Sequence, residues 1–177
     1  MSEVSTADRI LDAAESRVQT AGYNGFSFRD LAEDVGIKSA SVHHHFPTKE
    51  ALVTRLTDRY TDRFFAGLKD KSDASGRVGA YRAAFRQAFL NDNKMCLCGM
   101  LGAESGGLPG AVTAATHQFF DRIVAHLAES LASVSAKPRQ RALAIVARLE
   151  GAMILARACG TVEVFDEATR GMEDELA

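Results

Sequence analysis

Apolar residues recur every three or four positions along most of the chain, which is the period of an amphipathic α-helix. The first such stripe predicts a helix at 6–21, with its apolar face formed by Ile10, Leu11, Ala14 and Val18. Later stripes predict further helices at 49–71, 77–91, 97–104, 109–134, 138–158 and 163–176, with a linker at 72–76. The pattern therefore predicts an all-α protein.

Two short helices joined by a tight turn are predicted between these long ones. Ser27 is a good N-cap, and Asp30 can reach back to the backbone of the cap. Gly36 then ends the helix, because glycine enters the left-handed conformation without steric cost. A second helix follows at about 38–45, and Pro47 ends it. A short helix that shows small polar and imidazole groups suits insertion into a DNA major groove.

This region resembles the DNA-binding end of the TetR family of bacterial transcriptional repressors. The resemblance is carried by GIKSASVHHHFPTKEAL at 36–52 and by AAESRVQTAGYNGFSFRDLA at 13–32. The family usually has aromatic residues on both sides of the central histidine of the second helix, where this chain has His43 and His45. The resemblance covers less than a third of the chain.

The resemblance implies a helix-turn-helix DNA-binding domain at 1–50 and a helical ligand-binding and dimerisation domain at 51–177. It also implies a homodimer, paired through a four-helix bundle, that leaves a palindromic operator when a small apolar effector binds. We expect base contacts from Ser39, Ser41, His43 and His44. We expect phosphate contacts from Lys38, His45, Lys49 and the Ser27 end of the preceding helix.

Charge alone does not indicate a nucleic-acid partner. The net charge is −2, and residues 1–50 hold five Lys or Arg against eight Asp or Glu. DNA binding therefore requires that cations and carboxylates lie on different sides of the helix-turn-helix domain at 1–50, which we call the head. We expect Arg29, Lys38 and Lys49 to face DNA, and Asp8, Asp12 and Glu15 to face away.

The last two long helices are the candidates for dimerisation, and the pattern is clearest in the helix at 138–158. It carries an apolar band, and Gly151 is small enough to let another helix approach closely. The band comprises Leu143, Val146, Leu149, Met153 and Ala156, and Val162, Phe165 and Met172 extend it. Burial inside one subunit would give the same periodicity, so the pattern leaves both interpretations open.

Apolar side chains on three of the predicted body helices fit either a filled core or a cavity for a small ligand, and the resemblance favours the cavity. The predicted lining is Phe85, Phe89, Cys96, Met100, His117, Phe119, Phe120, Ile123 and Met153. Cys96 and Cys98 are ordinary core residues in one interpretation, and ligand or redox sensors in another. We expect Cys96 to be alkylated before Cys98 and Cys159, because Lys94 and a helix start lie beside it.

Other classes of function lack their signatures. No nucleophile elbow, phosphate-binding loop, dinucleotide fingerprint or metalloprotease motif occurs, so we predict neither catalysis nor a cofactor. Successive histidines on a helix point about 100° apart, so His43, His44 and His45 do not form a metal site. The start of the chain lacks an apolar signal core, which favours a cytoplasmic protein with reduced thiols. A helical ligand carrier or enzyme that retains the head is the alternative.

Overall fold

A computed structural model describes residues 5–68, 73–90 and 94–174, and it confirms the all-α prediction: these ranges contain helices and no strand. The α-helices are α1 Thr6–Ala21, α2 Phe28–Val35, α3 Ser39–His45, α4 Lys49–Gly67, α5 Ala74–Leu90, α6 Leu97–Ala103, α7 Gly110–Leu131, α8 Pro138–Cys159 and α9 Val162–Ala168. Single 3-10 turns lie at Tyr23–Gly25 and Ser105–Gly107. Within the described ranges, none of these helices is both long and apolar enough to span a bilayer.

Most helix boundaries fall close to the predicted ones, but the linker at 72–76 is wrong from residue 74 onward. The helix starts early because Asp73 acts as its cap: Asp73 Oδ1 accepts a hydrogen bond of 2.7 Å from the Gly76 N–H. At the other end of the chain, α9 stops at Ala168, short of the predicted 176. Positions 69–72, 91–93 and 175–177 of the predicted elements lie outside the described residues.

The chain divides into two compact units. The first unit comprises residues 1–62 and 97–117, and the second comprises 63–96 and 118–177. Helices α4 and α7 each contribute residues to both units. The sequence-based division at residue 50 concerns function and stays a prediction.

In the first unit, α1 to α4 enclose a small apolar core in which Ile10, Leu31, Val42 and Leu52 are fully buried. Helix α6 belongs to this unit as well. Its C-terminal neighbour Glu104 accepts a 2.8 Å hydrogen bond from the Tyr23 N–H through Oε2.

The turn before Tyr23 requires glycine for two reasons. Gly22 has a φ of +76°, and a Cβ at this position would overlap the Glu104 carboxyl.

In the second unit, the core is built around aromatic rings. The Phe64 ring contacts those of Phe85 and Phe119, with centroids 5.9 Å and 5.4 Å apart. An ion pair at 2.7 and 2.8 Å joins Arg86 on α5 to Asp166 on α9, and the guanidinium holds the pKa of that carboxyl below its usual value.

The predicted apolar band on α8 mostly faces the interior of its own unit. The buried members are Val146, Leu149, Met153 and Ala156, and Phe165 and Met172 are buried as well. For these residues the structure supports burial inside one subunit, which is one of the two interpretations that the pattern left open. A neighbouring face of α8 is apolar, with Leu143, Ala147, Ile154 and Leu155 exposed and Gly151 half-buried.

Glu150 on α8 places a carboxyl inside the second unit. Both of its oxygens are buried without a strong hydrogen-bond donor in the part of the chain that the structure describes, and the weakly donating Cys96 thiol lies beside them. Burial raises the pKa of this carboxyl to about 7, although the neighbouring Cys96 thiol acts in the opposite direction. Pattern analysis missed this residue because a glutamate at a helix surface usually faces water.

The raised pKa predicts a stability difference that depends on pH. The folded state binds the Glu150 proton more tightly than the unfolded state does, so its contribution is present at low pH and is lost as pH rises toward 7. We expect Glu150→Gln to stabilise the protein relative to wild type by up to about 3 kcal/mol at pH 8. Little difference is expected at pH 5.

Urea unfolding of both proteins at the two pH values measures this effect. Glu167→Gln, an exposed position on α9, controls for loss of charge alone. A Glu150→Gln effect of the same size at both pH values would contradict the buried, proton-binding carboxyl.

Candidate nucleic-acid interface

Helix α2 is fixed by hydrogen bonds at both of its ends. Ser27 Oγ accepts from the Asp30 N–H at 3.3 Å, and Asp30 Oδ2 accepts from the Ser27 N–H at 2.7 Å, which confirms the predicted capping. The hydrogen bonds from Ser27 hold the pKa of Asp30 below its usual value. Gly36 is left-handed, with a φ of +72°, and the Ile37 N–H donates to the Ala32 carbonyl at 2.9 Å.

Two inward side chains anchor α3. Val42 is fully buried and Phe46 is 8% exposed, so the inner side of this short helix is fixed on the head. Its other side carries the side chains that the sequence predicts for DNA contact. Ser39, His43, His44 and His45 are exposed, Ser41 is half-buried, and Lys38 is the exposed residue before the helix.

His43 has a neighbour that sequence reasoning missed. The Phe28 ring lies edge-on to the His43 ring, with centroids 4.7 Å apart. Phe28 is half-buried. Such a contact limits the directions in which the imidazole can point.

Lys49 was expected to contact a DNA phosphate. In the structure its ammonium group contacts other residues of the head. Its Nζ donates to the Phe26 carbonyl and lies 4.1 Å from the centroid of the Phe26 ring. The Tyr23 ring centroid is 4.9 Å away. Partial burial lowers the pKa of this ammonium. A direct phosphate contact from Lys49 stays a prediction.

Several of the carboxylates of the head have basic partners. Arg59 on α4 lies 2.7 Å from Asp12, 3.6 Å from Asp8 and 3.6 Å from Glu15, so one guanidinium serves three acids of α1. Arg17 forms a two-point ion pair with Asp34 at 2.8 Å. These pairs place cations directly beside carboxylates of α1 and α2.

The residues predicted to line an effector site differ in burial and do not all belong to the same unit. Phe85, Phe89, Cys96, Phe119, Ile123 and Met153 are buried members of the second unit, where Phe120 is half-buried. Met100 is half-buried and His117 is exposed, and both belong to the first unit. Phe64, whose ring joins those of Phe85 and Phe119, was not in the predicted set.

The three thiols are unequally accessible. Cys96 and Cys98 are buried, whereas Cys159 is exposed at the end of α8. Alkylation requires access to the sulfur, so the expectation that Cys96 reacts first is wrong.

Two family models match this chain. Residues 10–56 match the model described as bacterial regulatory proteins, tetR family, and residues 77–171 match the C-terminal domain of LmrA/YxaF-like transcriptional regulators. The second match alone spans more than half of the chain.

Solved structures extend the likeness to nearly the whole length. A TetR transcriptional regulator from Legionella pneumophila is 33% identical, with a TM-score of 0.92 over 99% of this chain and 98% of that chain. A TetR-family regulator from Agrobacterium tumefaciens is 32% identical, with a TM-score of 0.86 over 96% of each chain.

Curated relatives match over shorter segments. The HTH-type transcriptional repressor KstR2 of Mycobacterium tuberculosis (strain ATCC 25618 / H37Rv) is 32% identical over 43% of this chain and 40% of its own length. The HTH-type transcriptional repressor ComR of Escherichia coli (strain K12) is 29% identical over 53% of this chain and 47% of its own length. The matched part therefore spans less than half of these two relatives.

The placement of Lys49 predicts a structural role that can be measured without DNA. We expect Lys49→Met to lower the free energy of unfolding by about 1–2 kcal/mol, because it removes a hydrogen bond from a charged donor and two cation–π contacts. Urea unfolding measures the loss, and Lys38→Met at an exposed position is the matched control. Equal stability of the two variants would show that Lys49 does not hold the head together.

Proposed function

The chain belongs to the tetR family of bacterial regulatory proteins, and from this membership we propose that it represses transcription by binding a palindromic operator as a homodimer. In this proposal a small molecule that binds the second unit releases the DNA. The proposed place of action is the cytoplasm, where the DNA of a bacterium lies.

The observation that carries the proposal is the two-sided character of α3. Buried Val42 and Phe46 fix the helix, and the opposite side offers hydroxyl and imidazole groups to solvent. Such groups donate and accept hydrogen bonds at base edges. We assign base contacts to Ser39, Ser41, His43 and His44, and phosphate contacts to Lys38, His45 and the Ser27 end of α2.

Pairing of two subunits is proposed through the exposed apolar face of α8. Leu143, Ile154 and Leu155 are 49%, 57% and 54% exposed, a degree of exposure that marks large apolar side chains as contact candidates. Between them, a Cβ at Gly151 would meet no atom within 4 Å in the described chain, so the backbone is open to a close neighbour. Two paired subunits double the length of DNA that is contacted.

Release by an effector requires that the second unit influence the first. Helices α4 and α7 supply residues to both units, so each provides a continuous covalent and hydrogen-bonded route between them. We propose that the effector packs among the aromatic side chains around Phe85 and Phe119, and that it favours a state that binds DNA poorly.

Base discrimination should depend on the exposed side of α3. We expect His44→Ala and Ser41→Ala to relax base preference, each costing roughly 1–3 kcal/mol at the cognate operator. Lys38→Ala should instead weaken binding to all sequences alike. It should also lower the slope of log affinity against log salt concentration by about one, as expected for the loss of one phosphate contact.

Titration of operator and scrambled duplexes at several salt concentrations separates these effects. Ser105→Ala, an exposed serine outside α3, is the control. If both α3 variants discriminate as well as wild type does, α3 is not the element that reads bases.

Dimerisation should fail when a charge enters the exposed face of α8. We expect Gly151→Glu to give a helical monomer that binds operator poorly, because burying an unpaired carboxylate at an interface is costly. Ala83→Glu, which adds the same charge at an exposed position of α5, should leave the dimer intact. Light scattering decides, and a Gly151→Glu dimer of normal mass would place the interface elsewhere.

A further inference from the structure

The Glu150 carboxyl is a buried acceptor in the second unit that the proposed repressor mechanism does not use. Neither oxygen has a strong hydrogen-bond donor within the described residues, although both are buried. Buried polar groups in proteins are nearly always paired, with protein, water or a ligand. An exception of this kind indicates where a donor from another molecule fits.

The surroundings of this carboxyl are mostly apolar. Val146 and Met153, which neighbour it on the α8 surface at helical spacing, are buried. The Cys96 thiol lies beside it and is followed by the fully buried Leu97. A thiol is only a weak hydrogen-bond donor, so it satisfies little of what two carboxyl oxygens accept.

Arginines of the same unit serve other acceptors. Arg77 donates to the His126 carbonyl at 2.9 Å, and Arg86 pairs with Asp166. Arg148 donates to the Ala168 carbonyl at 2.7 Å. These guanidinium groups therefore stabilise the unit through contacts to other residues.

The chemistry of the missing donor follows from the charge of the acceptor. A neutral apolar molecule would leave the carboxyl unpaired, and burying a polar group without a partner is unfavourable in free energy. An ammonium group brings three N–H donors and a compensating charge, and hydrogen bonds between charged partners are the stronger ones.

We propose that Glu150 binds the ammonium group of a small amphiphilic amine, whose apolar part packs against the apolar residues of the second unit. The inference rests on the proposed function, since it takes the second unit to be the effector-binding part. It changes the class of effector from a neutral apolar molecule to a cationic amphiphile.

The test uses phenylalkylamines from benzylamine to phenylbutylamine, each compared with the alcohol of the same chain length. Calorimetry at about pH 8 keeps the amines protonated and most of the Glu150 carboxyl ionised. We expect at least one amine to bind wild-type protein about tenfold or more tightly than its alcohol. Glu150→Gln should abolish this preference, and the control Glu167→Gln should retain it.

Two results would overturn the proposal: no amine binds more tightly than its alcohol, or the preference survives in Glu150→Gln. Circular dichroism of each variant shows whether the fold is intact. A mobility shift of wild-type protein with its operator, without amine, tests the repressor function separately. Operator binding without amine preference removes only the present inference, and amine preference without operator binding removes only the repressor function.

Discussion

The surface that we propose faces DNA depends on the burial of Val42 and Phe46 beneath α3. A helix of seven residues is too short to be stable by its own hydrogen bonds, so packing must hold it. Val42 supplies that packing in the middle of the helix, and Phe46 supplies it directly after the last helical residue. The opposite side is therefore free to carry hydroxyl and imidazole groups, which contribute little to stability but offer hydrogen bonds to bases.

The rest of the first unit supports this arrangement by neutralising charge and by fixing turns. Arg59 gathers three carboxylates of α1, and Arg17 pairs with Asp34, which reduces the repulsion between an acidic head and DNA. Lys49 and Glu104 hold the Tyr23–Gly25 turn from two sides, through the Phe26 carbonyl and the Tyr23 N–H. A basic side chain near DNA thus has a structural role, and the acidic sequence is compatible with a DNA-binding surface.

The sequence predicted what is decided locally. The cap at Ser27, the left-handed Gly36 and the limits of α1 follow from neighbouring residues, and the structure confirms them. Asp73 was missed as a cap because glycine and serine around it resemble a linker. The outward face of α8 could not be assigned from the sequence because this helix has apolar residues on two sides, and periodicity does not state which side is covered. The sequence did not predict that the Lys49 and Glu150 side chains turn toward the interior, because a charged side chain normally faces solvent.

Selection of bound duplexes from a random DNA pool, using the wild-type protein, tests the central claim most directly. The account predicts enrichment of one motif with two-fold symmetry, whose half-sites are spaced so that two α3 helices enter successive major grooves on one face of the duplex. Binding that enriches no motif, and that depends on salt alone, would contradict the assignment of α3 as the helix that reads DNA.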